Sequence, residues 1–309
     1  MTVCNGLTQA SATGTRTLAS VSALTDTRDS QTYAIAKLAD GNCWMIENLR
    51  LADIHQENGT IVPTVLTIVN TNNPLNDGTN VTLKHNYADT QTHDTLSATS
   101  SDATSWCNGS TATCIDKSRL RTINTTSRAV FTSSETMFSN VDLYAYGNYY
   151  NWYSATAGRG VYDFSTNNDS TVGDLCPVGW RLPVGGQTTV NTTGDYYTLI
   201  KTFMDGMEPN QADVAGYGYS YYYGIVNGVN AGKKASNTIR SYPSNFVYSG
   251  YVSGASQNNR SLYGGYWSST TNSSDLAFLM SINDAGVSAG TARTSKYEGR
   301  VVRCIGPSR

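Results

Sequence analysis

Gly264-Gly265-Tyr266-Trp267-Ser268-Ser269-Thr270 and Gly299-Arg300-Val301-Val302-Arg303-Cys304-Ile305 bracket the C-terminal part of this 309-residue chain. The two flanks read as rigid, while the residues between them are small, mixed in polarity and weakly patterned. A well-specified frame around under-specified contents reads as a surface presented to something outside, because chemistry needs fixed residues and this interval offers few. Within it Phe278, Met280 and Ile282 fall on one strand face, with Val287 further on, and read as core. Their alternates Leu279, Ser281 and Asn283 are then expected to face outward, followed by turn residues from Asp284 onward.

Composition narrows the function classes. Charged residues make up 14% of the chain, and 28 Gly and 21 Tyr stand beside abundant Ser, Thr and Asn. That charged share is below the usual quarter. A neutral-polar, tyrosine-rich surface suits a secreted or cell-exposed protein, and Tyr is a favoured contact residue in binding sites. The net charge of −2 and the absence of a basic run argue against nucleic acid as a partner. No apolar stretch approaches the roughly 18 residues that cross a bilayer. Met1 is followed directly by Thr2-Val3-Cys4, so a signal peptide or anchor is expected to be absent or trimmed. Six cysteines without a CxxC spacing suggest three disulfides rather than metal ligands. His55, His85 and His93 share one polar region without metal-site spacing and read as solvated. No cofactor is expected.

Moving outward along the chain, Thr32 to Lys37 alternates as a strand. Asp40-Gly41-Asn42 is a tight turn, and Cys43-Trp44-Met45-Ile46 returns as a second strand. Residues 53–140 shift to Thr, Asn, Ser and Asp, too long a stretch for an ordinary loop, and read as an insertion within a single domain of residues 1–309. Ile61 to Val69 is a strand candidate there. The aromatic spacing of Tyr146 to Ala157 predicts a helix, and Asp195 to Met204 predicts a second with Tyr196, Leu199, Ile200 and Phe203 on one face. Cys176-Pro177-Val178-Gly179-Trp180-Arg181-Leu182-Pro183 reads as a short strand fenced by prolines. The last 70 residues read as short strands and turns. Trp44, Trp152, Trp180 and Trp267 sit in apolar-alternating contexts and read as core. Three consecutive tyrosines at 221–223 cannot all face inward from a strand, so at least one is expected to be exposed.

The segments TDTRDSQTYAIAKLADGNCWMIENLRL, YGNYYNWYSA, CPVGWRLP, GYWSSTTN and RVVRCIG occur in that order. Together they resemble the C-type lectin-like domains of the Fibrobacter-type major paralogous family, distant relatives of formylglycine-generating enzymes. The match covers both ends of the chain and misses most of 53–140. The resemblance implies an α+β fold with two helices, a mixed and mostly antiparallel sheet, and termini that come together. It implies a disulfide between Cys176 and Cys304; with that pair set, Cys107 with Cys114 and Cys4 with Cys43 complete the pairing. In this family Asp26, Arg28 and Asp29 cap the first hairpin.

A sharper resemblance is to the variable proteins encoded beside diversity-generating retroelements, which place a diversified segment between a GYWSS-like flank and an RC-containing end. By that resemblance 265–305 is a candidate variable region. Its ligand-binding residues are then Asp275, Leu276, Leu279, Ser281, Asp284, Gly286, Ser288, Gly290, Thr291, Ala292, Arg293 and Thr294, with Tyr221 and Tyr223 as neighbours. The partner implied is a macromolecular ligand, a protein on another cell or virus. A structural adhesin or surface module without diversification is the alternative from another class. Glu208-Pro209-Asn210 matches the tripeptide of calcium-dependent lectins, but the companion Trp-Asn-Asp does not follow it. Formylglycine-type chemistry needs a reactive cysteine pair in the C-terminal half, where Cys176 and Cys304 are already assigned to each other. No GxSxG, P-loop, HExxH or EF-hand pattern is present, and no enzymatic activity is expected.

Overall fold

A computed structural model describes residues 4, 6–10, 21–26, 32–49, 149–156, 174–177, 179–186, 194–209 and most of 221–306. Within 221–306 it leaves out 227, 228, 242, 254, 255, 260, 261, 274, 275 and 297. Between 54 and 116 it gives only the backbone of short strands.

The N-terminal sheet has three antiparallel strands, β1 (Val21–Thr25), β2 (Thr32–Lys37) and β3 (Cys43–Met45). Ile35 opposes Met45, and the β2–β3 connection is the expected Asp40-Gly41-Asn42 turn. Gly41 has φ +81°, a left-handed conformation that suits glycine, and its N–H donates to Leu38 O at 2.9 Å. The Asp40 carboxylate accepts from Asn42 N (3.1 Å) and Trp44 Nε1 (3.0 Å), fixing the turn to the core tryptophan. Six strands then form three two-stranded ladders within the insertion. They are β4 (Ile54–Glu57) with β5 (Thr60–Pro63), β6 (Val65–Thr67) with β7 (Asn80–Thr82), and β8 (Ser105–Trp106) with β9 (Ile115–Asp116). The single strand expected over 61–69 is thus split between β5 and β6.

The central sheet has six strands in the order β10-β19-β16-β17-β18-β11. These are β10 (Tyr149–Tyr150), β11 (Tyr221–Tyr223), β16 (Tyr263–Thr271), β17 (Leu276–Asn283), β18 (Gly286–Ser295) and β19 (Arg300–Val301). All pairs are antiparallel except β16 with β19. Two small ladders flank it, β12 (Ile225–Val226) with β13 (Val229–Asn230), and β14 (Tyr251–Ser253) with β15 (Ser256–Asn258).

Among the described residues three helices accompany the sheet: a single turn α1 (Trp152–Ala155), α2 (Asp195–Phe203) and α3 (Ala231–Arg240). Helix α2 buries Tyr196, Leu199, Ile200 and Phe203, as its spacing predicts. The helix expected over 146–157 is mostly replaced. Tyr149 and Tyr150 pair as an edge strand against Val301 and Arg300, leaving one helical turn. The second long helix is instead α3, capped by the Asn230 side chain, which accepts from Lys233 N at 2.9 Å. The described fold is therefore α+β with a mixed, mostly antiparallel central sheet.

Both faces of that sheet are covered. Tyr266, Met280, Ile282, Val287, Ala289 and Val301 pack with Leu199, Phe203, Ala235 and Ile239 from α2 and α3. On the opposite face Trp267, Ala277, Leu279, Ala292 and Val302 pack with Trp152, Leu182, Trp180 and Cys304. The four tryptophans expected in the core are all buried.

Cys176 is bonded to Cys304, and Cys4 to Cys43, each with Cα atoms 5.8 Å apart. Cys107 and Cys114 lie outside the described residues. The CPVGWRLP segment forms no continuous strand: Arg181 makes one bridge to Ile305, and Trp180 N closes a turn on Pro177 O at 2.8 Å. Trp44 bridges Ile305, and Gly306 N donates to Cys43 O at 2.7 Å, so the C-terminal end runs beside the N-terminal sheet. Asp26 is buried, while Arg28 and Asp29 lie outside the described residues.

Candidate functional site

The two-residue turn Asp284-Ala285 joins β17 to β18. Asn283 Oδ1 accepts from the backbone N–H of Ala285 and of Gly286, both at 2.9 Å, a local pattern that Asn supplies in tight turns. Tyr221 Oη also donates to Asn283 Oδ1, at 3.2 Å, which ties the edge strand β11 to the turn. Tyr248 Oη donates to Asp284 Oδ1 (2.8 Å) and meets Ser236 Oγ (2.9 Å), while the Arg240 guanidinium lies 3.6 Å over the Tyr248 ring. Burial pushes the Tyr248 hydroxyl up, and it stays protonated as a donor. The hairpin tip is thus held from two sides.

Strand register brings several of the expected residues together. Tyr221 opposes Ser288, Ser288 opposes Ser281, and Ser281 opposes Gly265. Tyr266 opposes Val301, which places Arg300 beside Gly265. Tyr222, Val287, Ile282, Tyr266 and Val301 belong to the helix-covered face. By period-2 alternation their neighbours Tyr221, Ser288, Ser281, Gly265 and Arg300 form one row on the other face. A second row nearer the tip runs Tyr223–Gly286–Asn283–Tyr263. The floor is made of Gly, Ser and Asn. One edge carries the stacked pair Tyr221 and Tyr223, with centroids 5.5 Å apart. The other carries Tyr263, Tyr251 and Arg300, with the Arg300 guanidinium 4.1 Å from the Tyr251 centroid and 5.3 Å from that of Tyr263. Tyr223 on β11 and Tyr263 on β16 stand three strand spacings apart, about 14 Å, and Arg300 on β19 lies one spacing further.

The expected outward exposure needs correction. Leu279 and Ser281 are each 1% exposed. The alternation was right about sides and wrong about solvent, because the second face has a tryptophan-rich core of its own. Leu279 and Ala292 are members of that core. Ser288 and Gly286 are buried too, and so is Tyr221; of the three tyrosines only Tyr223 is partly exposed. Gly290 and Thr291 are buried at a bulge: five residues of β18, Ser288 to Ala292, face the three of β17 from Leu279 to Ser281. Gly290 takes φ +92° there, and its carbonyl accepts from Gly186 N at 2.7 Å. A Cβ on Gly186 would meet Thr291 Cγ2 at 2.3 Å, so the bulge fits under a bare glycine loop.

Asp284 is exposed, and Leu276, Arg293 and Thr294 are half-buried at the far end of the hairpin from the tip. Asp275 lies outside the described residues. Around the tip the sequence reading missed Ala285, which is exposed, and Ile225, 75% exposed. It also missed Tyr251, Tyr263 and Arg300, which only strand pairing brings to this face. A Cβ on Gly286 would lie 1.9 Å from Tyr222 O, so β11 packs directly on that glycine.

The calcium-lectin tripeptide is otherwise engaged. The Glu208 carboxylate accepts from the Tyr197 hydroxyl and pairs with Lys201, and these two partners, Lys201 first, lower its pKa. Asn210 lies outside the described residues. Among the described residues no group of three or more His, Cys, Asp and Glu is placed to hold a metal ion. No described helix is long and apolar enough to cross a membrane. No family model, curated protein or solved structure matches this chain.

Proposed function

We propose that this chain is a non-enzymatic recognition protein with a C-type lectin-like scaffold. In this reading it is secreted or displayed at a cell surface and binds a macromolecular ligand, a protein on another cell or virus, through the tip end of the β16–β18 sheet. The observation that carries the reading is the exposed end of the hairpin. Asp284, Ala285 and Ile225 are exposed, and Tyr223, Asn283 and Tyr263 beside them are partly exposed, on a frame that the buried Tyr221, Ser281, Gly286 and Ser288 hold in register. Tyrosines beside small polar residues are the composition of binding hot spots. Two disulfides fit an oxidising compartment. Engagement of Glu208 by Tyr197 and Lys201 favours this reading over a calcium lectin. The Cys176–Cys304 bond likewise leaves that pair without a free thiol for formylglycine-type chemistry.

Diversification, in this reading, is confined to the rim. Leu276, Asn283, Asp284, Ala285, Arg293, Thr294 and Ser295 tolerate exchange, whereas 277–282 and 287–292 are held by packing. The test is to compare the coding sequence of 265–305 with neighbouring DNA and with sibling copies. A near-repeat differing at adenines, beside a reverse transcriptase gene, with differences concentrated at the rim positions, is expected. Absence of any such repeat removes diversification and leaves an ordinary surface module. Differences concentrated at the buried positions overturn the assignment of this face.

A further inference from the structure

Strand β1 reads Val21-Ser22-Ala23-Leu24-Thr25, without charge, proline or glycine. It ends the three-stranded sheet, so one of its edges has no partner strand. Hydrogen bonds further along the sheet fix which backbone groups lie on that edge. Ile46 N donates to Ala34 O at 2.9 Å, and Ala34 N donates to Glu47 Oε2, so Ala34 is turned away from β1. Met45 N donates to Cys304 O (3.0 Å), away from β2, which leaves the opposed Ile35 turned towards β1. Both observations agree. Ala23 opposes Ala34, so theirs is a non-hydrogen-bonded pair and Ala23 turns its own N–H and C=O outward. Val21 and Thr25, two residues to either side, do the same. Among the described residues no partner meets these outward groups. Ala23 and Thr25 are exposed, and the other three residues are half-buried.

Sheets of monomeric proteins guard such an edge with charge, proline, a bulge or shortness. The edges of the central sheet are short: β10 has two residues, both buried, and β11 has three. Strand β1 has five residues, its register on β2 is unbroken, and the adjoining charge, Asp26, is buried. We infer that β1 pairs with β1 of a second copy of this chain, antiparallel about a two-fold axis at Ala23. The strand is complementary to itself in that register. Ala23 opposes its own symmetry mate, Val21 opposes Thr25, and Ser22 opposes Leu24. The outward groups of 21, 23 and 25 then form three hydrogen-bonded pairs, about six main-chain bonds. β-Branched Val and Thr meet across the strands, and no like charges are opposed. Another chain could match the backbone, but a second copy also matches the side chains and closes the assembly at two. Five residues a side cover far less than about 1,200 Å², so the dimer is weak and concentration-dependent.

Sedimentation equilibrium of the full oxidised chain, from about 10 μM to about 1 mM, tests the pairing. A monomer–dimer equilibrium with Kd of about 100 μM is expected. Ala23→Pro removes the central outward N–H at a place where an edge strand accepts proline, and is expected to weaken the dimer at least about tenfold. Ala23→Lys and Ala23→Glu each set like charges opposite one another at the axis, and each is expected to weaken it about tenfold. An equimolar mixture of those two variants is expected to dimerise about tenfold more tightly than either alone. Should thermal melting show that the proline variant unfolds, the two charge variants at this exposed position decide. A chain that stays monomeric to about 1 mM, or a dimer indifferent to the charge at position 23, overturns the pairing. The hairpin tip and its coding sequence do not enter the experiment, so the recognition reading stands or falls separately.

Discussion

Arg303 donates to Asn48 Oδ1 through both Nε (3.1 Å) and Nη2 (2.9 Å), joining residues 255 positions apart. The same guanidinium donates to Ser244 O and to Asn245 O (3.0 Å) and lies 4.1 Å over Phe246. Burial pulls its pKa down, but donors to three oxygens and two ring faces keep it charged inside the core. Arg303→Met removes all of these donors while leaving three oxygens buried. It is expected to cost about 3–5 kcal/mol, and Asn48→Ala less, in urea unfolding followed by tryptophan fluorescence. A loss below about 1 kcal/mol for Arg303→Met would contradict the stapling role.

The correction at Leu279 leads to a second expectation. Leu279→Ala opens a cavity among Trp152, Trp267 and Val302 and is expected to destabilise by about 2–5 kcal/mol. Ala285→Ser, on the exposed tip, is expected to stay within about 0.5 kcal/mol. Equal effects at the two positions would mean that the outward assignment of Leu279 was right after all.

The disulfides differ in access. Cys4 is partly exposed and Cys43 buried, whereas Cys304 is fully buried in the tryptophan-rich core. Graded reduction followed by alkylation and mass mapping is expected to label Cys4 and Cys43 first. Loss of Cys176–Cys304, which closes 128 residues, is expected to remove about 4–5 kcal/mol in the chain-entropy picture. Labelling of Cys176 and Cys304 at the lowest reductant concentration would contradict the burial.

Asp40 sets a pH dependence. Burial raises its carboxyl above the ordinary value of 3.8, against hydrogen bonds from Trp44 and Asn42 that lower it. The folded state therefore binds this proton more tightly than the unfolded chain. Its contribution to stability is fully present below about pH 3.8 and is lost as pH rises through the folded value. Asp40→Asn removes the titration, so urea midpoints of the variant relative to the parent are expected to rise from pH 3 towards neutrality. A relative midpoint that falls over the same range would reverse the sign of the effect.

Much of the scaffold was legible because its signals are local. The Asp40-Gly41-Asn42 turn, helix α2 and the buried tryptophans follow from turn chemistry and periodicity within a few residues. Helix α3 was missed because Gly232, Ser236, Asn237 and Thr238 lower its propensity, although Ala231, Ala235 and Ile239 recur at helical spacing. Tyr149-Tyr150 misled for the opposite reason. Its aromatic spacing suits a helix, yet pairing with Val301 and Arg300 makes it a strand, and no local pattern contains that partner.

By itself the chain determined which residues of β17 share a side, because alternation is a property of the extended backbone. It also placed turn residues from Asp284 onward, whereas the role of Asn283 in that turn and the lack of room for a side chain at Gly286 came only from the tertiary structure. Whether a side faced water was decided only by tertiary structure. Burial depends on what the rest of the chain lays over a strand, and for Leu279 that was Trp152, Leu182 and Val302, drawn from three distant segments. The convergence of Arg300, Ser281 and Tyr221 was decided the same way. Each is unremarkable in its own stretch of sequence, and only the strand order places them in one row.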